Sequence, residues 1–143
     1  ERLGVEMLIN DNIGIERNGQ KIYIAGIDDC HYFGSDDLRL ASEGIEDSAF
    51  KIMLAHSPER LFDAADSGYD VYFAGHTHGG QICLPCGFQI VRGASLQRKY
   101  LNGIWQYKGM KGYTSKGAGS SGLDVRFFCR PEITMIKLKC DNV

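Results

Sequence analysis

Three consecutive segments repeat one grammar, an apolar strand followed by a polar turn and a short helix or glycine-rich turn. KIYIAGIDD (21–29) leads into SDDLRLASEG (35–44), FKIMLAHS (50–57) into PERLFDAADSG (58–68), and YDVYFAG (69–75) into HTHGGQ (76–81). Nearly unbroken apolar strands with helices between them require a sheet buried on both faces, and such sheets are built mainly from parallel neighbours. The helices carry their own punctuation: Ser35 is expected to cap the first and Gly44 to stop it. Ser57 caps the second, Pro58 suits its first turn and Gly68 ends it.

Outside these units the pattern is β-like. Upstream, VEMLIN (5–10) reads as a short strand and GIERNG (14–19) as part of a hairpin, with Asn18-Gly19 as its turn. Beyond Pro85 helical periodicity disappears, and GIWQYKG (103–109), GYTSKG (112–117), DVRFFC (124–129) and EITMIKLKC (132–140) read as short strands. Six glycines between Gly103 and Gly122 suit hairpins and close backbone approaches rather than helix. No internal repeat or low-complexity tract interrupts the chain. Its 143 residues, 43% hydrophobic and 24% charged, describe one α/β domain or part of one.

Charge gives no sign of two classes of partner. Sixteen basic against eighteen acidic residues give a net charge of −2, with no basic stripe for nucleic acid or an anionic membrane. No run of about 18 apolar residues is present to form a membrane-crossing helix. The five cysteines (Cys30, Cys83, Cys86, Cys129, Cys140) are odd in number and scattered, which favours reduced thiols over a disulfide framework. Cys83-Leu-Pro-Cys86 has the spacing of half a zinc ribbon, but no second C-x-x-C follows, so two plain thiols in a turn are the simpler reading.

The chemistry gathers where strands end. In open α/β sheets, functional groups collect at the carboxyl ends of the strands. His56 stands there in the second unit, His76 and His78 in the third, and Asp28, Asp29 and His31 in the first. In a locally extended turn, His76 and His78 would converge while Thr77 points away. Gly75, Gly79 and Gly80 permit positive φ and let backbone or ligand come close. Neutral imidazoles so arranged suit a divalent or transition metal.

GHTHGGQ (75–81), LAHSPE (54–59), GIDD (26–29) and SKGAGSSGLDVRFFCRPEI (115–133) carry a resemblance that covers nearly the whole chain. Together they resemble the calcineurin-like metallophosphoesterase family, in particular its bacterial YkuE/YaeI-type phosphohydrolase branch. The resemblance implies the C-terminal half of an α/β/β/α sandwich, with βα units followed by β-hairpins. It also implies two divalent metal ions (Mn, Fe, Zn or Mg), His56 and His76 binding one and His78 the other. The reaction implied is hydrolysis of a phosphoester or pyrophosphate in a phosphorylated small-molecule or lipid-linked substrate.

The family's earlier motifs, D-x-H, G-D-x-x-D and G-N-H, are not found upstream of His56 in their usual order. Asp29-Cys30-His31 spells D-x-H, but only 24 residues separate His31 from His56, without room for the other two motifs. Asp29 and His31 are therefore read as loop residues near the site. The chain opens at Glu1 rather than at a methionine, and the missing motifs are expected in an N-terminal half outside these 143 residues. The leaving-group acid is expected there too, so no catalytic residue is assigned within the chain. On that expectation the chain alone is inactive and self-associates through an apolar face or open strand edge. Its location is expected to be cytoplasmic or membrane-associated, any anchor lying outside the chain.

Two rival classes remain at this level: a binding module whose histidines hold one structural zinc, and a zinc hydrolase of another type using His31, His56, His76 and His78. Gly117-Ala-Gly-Ser-Ser-Gly122 matches G-x-G-x-x-G but is followed by strand-like LDVRFF rather than a helix, so it is no dinucleotide fingerprint. It reads as a glycine-rich loop on the site rim, with Lys116 and Arg126 facing a phosphate, or as a plain hairpin turn.

Overall fold

The computed structural model describes residues 4–90 and 93–139. Six strands form one sheet: β1 (Asp11–Arg17), β2 (Gln20–Gly26), β3 (Phe50–Leu54), β4 (Val71–Ala74), β5 (Gly103–Tyr107) and β6 (Met110–Thr114), in the order β1-β2-β3-β4-β6-β5. The inner four strands are parallel, and an antiparallel strand closes each edge. The parallel strands and the α/β class agree with the periodicity of the sequence.

The hairpins follow from their turn residues. Asn18 and Gly19 take φ of 54° and 74°, which matches the right-handed twist of β1 and β2. Lys108 and Gly109, at φ 47° and 90°, do the same between β5 and β6.

One face of the sheet is a core. Ala25, Met53, Tyr72, Gly112 and Trp105 lie in register across it, and Ala41, Leu61, Ala64 and Tyr100 complete the packing. Gly112 is required there by space, because a Cβ on it would fall inside the Trp105 indole. The Trp105 indole N–H donates to Thr114 Oγ1 (2.9 Å), whose hydroxyl donates to the Tyr100 carbonyl (2.6 Å), so both of these buried side chains are paired. The other face is less covered: Ile52 is 2% exposed, but Leu54 is 40% and Ile104 85% exposed. Leu8 lies against Gly26, and the Tyr113 hydroxyl bonds Glu132 and Thr134 over this side.

Several local expectations need correction. Helix α1 covers only Leu38–Ala41 and is capped by Asp37, which accepts from the Leu40 N–H at 2.9 Å. Ser35 instead donates to the Asp28 carboxylate (2.6 Å), a charge-assisted bond that a backbone amide does not match. The second helix opens as a 3₁₀ turn, Pro58–Arg60, before α2 (Leu61–Asp66), and the Ser57 hydroxyl makes no cap bond, donating to Glu59 instead. Gly44 and Gly68, at φ 76° and 75°, follow the two helices as expected.

VEMLIN, DVRFFC and the described part of EITMIKLKC are not strands; Cys140, which ends the last run, lies outside the described residues. Phe128, at φ 49°, breaks extension in DVRFFC, where a single bridge from Phe127 to Ile82 survives. Residues 132–139 join no strand of the sheet; Glu132 and Thr134 bond the Tyr113 hydroxyl, and Glu132 also takes the Lys116 N–H and gives its own N–H to the Gly117 carbonyl.

Candidate metal centre

Parallel strands end on the same edge, so the turns after β2, β3, β4 and β6 deliver Asp28–His31, His56, His76–His78 and Lys116 to one place. The β3–β4 pairing continues past the strand ends. Ala55 N–H bonds the Phe73 carbonyl and Gly75 N–H the His56 carbonyl, both at 3.0 Å. This seats His56 beside His76, whose Nδ1 lies 2.9 Å from His56 Nε2. On its other side, His76 Nε2 donates to the Gly93 carbonyl (3.0 Å), so the Nδ1 turned to His56 carries a lone pair.

The turn is not extended. His76 (φ 65°), His78 (φ 50°) and Gly79 (φ 62°) are left-handed, with Thr77 right-handed between the histidines. Thr77 points inward, donating from Oγ1 to the Leu101 carbonyl (2.7 Å) and accepting from the Gly79 N–H (3.3 Å). The two imidazoles rest on different carbonyls. His78 turns its Nδ1 to the Gly119 carbonyl (3.2 Å). Gly80 has positive φ but Gly75 does not; strain falls on the histidines, where it was expected at the glycine. Gly79 is needed for room as well, since a Cβ would sit 2.7 Å from Lys116 Cγ and 3.0 Å from Cys129 Sγ.

Asp29 and His31 lie near the site, as expected. Asp29 Oδ1 accepts from the N–H groups of His31 (2.5 Å) and Tyr32 (2.9 Å), fixing the loop, while Oδ2 lies 3.9 Å from His56 Nε2. The Tyr32 N–H, with lesser help from that of His31, holds the Asp29 carboxyl below its ordinary value against the opposing effect of burial. The His31 ring packs 4.4 Å from that of His76 and sets its Nδ1 3.3 Å from Glu59 Oε2. Burial, and then the charges of His56 and His31, push the His76 imidazole below its usual value, favouring the neutral form that a ligand needs. His31, His76 and His78 share a cleft of about 410 Å³ whose walls include Tyr32, Ser121 and Leu123.

Among the described residues, no three His, Cys, Asp or Glu side chains gather to hold an ion. The donor chemistry nevertheless fits a divalent metal. His76 and His78 each have one ring nitrogen on a backbone carbonyl, the outer partner that ligating histidines characteristically have.

The same chain is 34% identical over 125 residues to the uncharacterized metallophosphoesterase YkuE of Bacillus subtilis, covering 87% of this chain and 43% of that protein. The chain belongs to the metallophosphoesterases. It is also 30% identical over 135 residues to the uncharacterized metallophosphoesterase YkoQ of B. subtilis (94% of this chain, 49% of that protein). Against the phosphodiesterase YaeI of Escherichia coli the identity is 33% over 88 residues (62% and 32%). The match falls in the C-terminal part of these relatives, and the chain spans a little under half the length of the first two. No family model and no solved structure matches the chain.

Lys116 and Arg126 both make their contacts within the protein. Lys116 Nζ pairs with Glu132 Oε2 at 3.3 Å, and Arg126 bonds backbone carbonyls. Glu132 stays below its ordinary pKa: burial pushes it up, but bonds from Lys116 and Tyr113 outweigh that. The glycine-rich stretch is a loop, with Gly117 and Gly122 at φ 65° and 74°. Cys83 is buried and donates to the Gly79 carbonyl (3.4 Å) while Cys86 is exposed, so the pair forms no half-ribbon. Sequence reasoning missed Glu59, although it stands inside LAHSPE. It also missed the Gly93 and Gly119 carbonyls, which leave no mark in the identity of a side chain.

Proposed function

We propose that the chain forms part of a two-metal phosphohydrolase that cleaves a phosphoester or pyrophosphate bond in a phosphorylated small-molecule or lipid-linked substrate. The observation that carries this reading is the 2.9 Å approach of His56 Nε2 to His76 Nδ1 at the strand ends. Two imidazoles at that separation share one cation naturally, and His78, on the same turn, serves a second. Divalent ions held at such a site would neutralise phosphoryl oxygens and lower the pKa of bound water towards neutrality.

The chain's own residues prepare that chemistry. The Gly93 carbonyl keeps His76 Nδ1 free of a proton, and the Gly119 carbonyl does the same for His78 Nε2. The Asp29 loop sets His31 and Tyr32 in the wall of the cleft. None of the three proposed ligands carries a negative charge, and two dications held close together would repel strongly without an anion between them. The remaining carboxylate ligands and the leaving-group acid are proposed to come from sequence outside these 143 residues. The isolated chain is then inactive, and its exposed Leu54 and Ile104 face promotes self-association.

The test is metal content, oligomeric state and aryl-phosphate hydrolysis, measured on the 143-residue chain and on protein carrying upstream sequence. We expect at most one weakly bound ion and no turnover for the chain, against two ions and turnover for the longer protein. A longer protein that binds one tight zinc and hydrolyses nothing would overturn the proposal in favour of a structural zinc module. Two ions and turnover in the chain alone would overturn its proposed incompleteness and turn attention to Asp29 and His31.

A further inference from the structure

Arg126 spends every N–H it has on the protein. An arginine carries five such donors in a fixed fork. Nε–H bonds the Gly119 carbonyl (2.9 Å), and the two Nη2 hydrogens go to the carbonyls of Lys116 (2.6 Å) and Gly119 (2.5 Å). Nη1 serves the His78 carbonyl (3.2 Å) and Cys129 Sγ (3.7 Å). None is left for a phosphate.

The carbonyl that receives most of this attention is the one His78 uses. Gly119 belongs to no strand or helix, so no backbone ladder fixes its carbonyl 3.2 Å from His78 Nδ1. Arg126 Nη2 also lies 3.4 Å from that nitrogen, but its shorter bonds to Lys116 and Gly119 consume its hydrogens, so Nδ1 is left to donate rather than accept.

We infer that Arg126 is a positioning residue for His78. By holding the Gly119 carbonyl and the His78 carbonyl together, it fixes the Nδ1–H tautomer and leaves Nε2 with its lone pair towards the site. The inference rests on the proposed reading of His78 as a metal ligand.

Nitrogen NMR of the histidine rings in chelator-treated protein tests the tautomer directly, with His78 assigned through His78→Gln. The unsubstituted protein is expected to show His78 with its proton on Nδ1, and Arg126→Ala a mixture of tautomers. Cobalt or manganese titration of protein carrying upstream sequence should then show Arg126→Ala binding metal roughly 10–100-fold more weakly. Guanidinium ion in solution should restore part of that loss. Arg126→Lys, which reaches fewer carbonyls, gives the same comparison with a milder change if the alanine variant does not fold. An unchanged His78 tautomer and metal affinity, with a raised KM for aryl phosphate, would overturn the inference and make Arg126 a substrate-phosphate contact. If the unsubstituted protein binds no divalent ion, the metal reading fails, and the tautomer comparison alone still decides what Arg126 does to His78.

Discussion

The two sides of the His76–His78 turn are built differently. His56 and His76 are brought together by a continuing β3–β4 ladder, so their spacing follows from the register of a parallel sheet. His78 faces an irregular loop whose shape depends on side chains: Arg126 on three carbonyls, Gln81 on Ser121 and Leu123, and Cys129 on the His78 carbonyl. A side chain seated by strand pairing tolerates change in its neighbours. One seated by a loop depends on a few polar contacts, and each of them is a point of failure.

The largest effect comes from removing the imidazoles themselves. In the active protein, His76→Ala and His78→Ala should each cost more activity than the roughly 10–100-fold expected from losing an outer partner. Steady-state kinetics with metal analysis checks this. Activity within threefold of the unsubstituted protein for either variant would remove that residue from the proposed site.

Two glycines of one motif sharpen the contrast. Gly79→Ala puts a side chain at φ 62°, against Lys116 and Cys129, and should cost about 1–2 kcal/mol for the backbone conformation alone. Gly75→Ala meets nothing nearer than the His56 carbonyl at 3.8 Å and should change stability by no more than about 0.5 kcal/mol. Urea denaturation of both variants separates them, and equal losses would contradict the distinction between the two sides.

Acid should loosen the His56–His76 side in two steps. The folded state holds His76 below 6.5, so on falling pH the unfolded chain takes up a proton first. Its contribution is complete above about 6.5 and fades as pH drops from there to the folded value. Asp29, held below 3.8, adds stability that is present above that value and lost as pH falls through its folded one. Chemical denaturation of metal-free protein from neutral to acid pH should show both losses, and His76→Gln should abolish only the upper one.

The smallest effect is expected at Cys86, which is exposed. Cys86→Ser should leave bound metal unchanged and stability within about 0.5 kcal/mol. Loss of metal would restore a ligand role for the Cys83–Cys86 pair.

By itself the sequence determined the βα units, the parallel centre of the sheet and the edge on which the histidines gather. Those follow from apolar periodicity, from the Gly44 and Gly68 stops and from the rule that parallel strands end together, all of them local or nearly so. Turn chemistry at Asn18-Gly19 was equally legible, because positive φ selects so few residues. Only the tertiary structure decided which way each imidazole faces. That depends on the Gly93 and Gly119 carbonyls, which every residue type possesses and no sequence pattern marks. DVRFFC and the described part of EITMIKLKC have the composition of strands, yet they pair with none of the six strands, because composition does not supply a partner. Arg126 looked available for a phosphate because a guanidinium suits one, yet five donors within reach of three carbonyls and a thiol bind whatever is nearest. Which acceptors those are is fixed only once residues 48 positions apart in the chain meet.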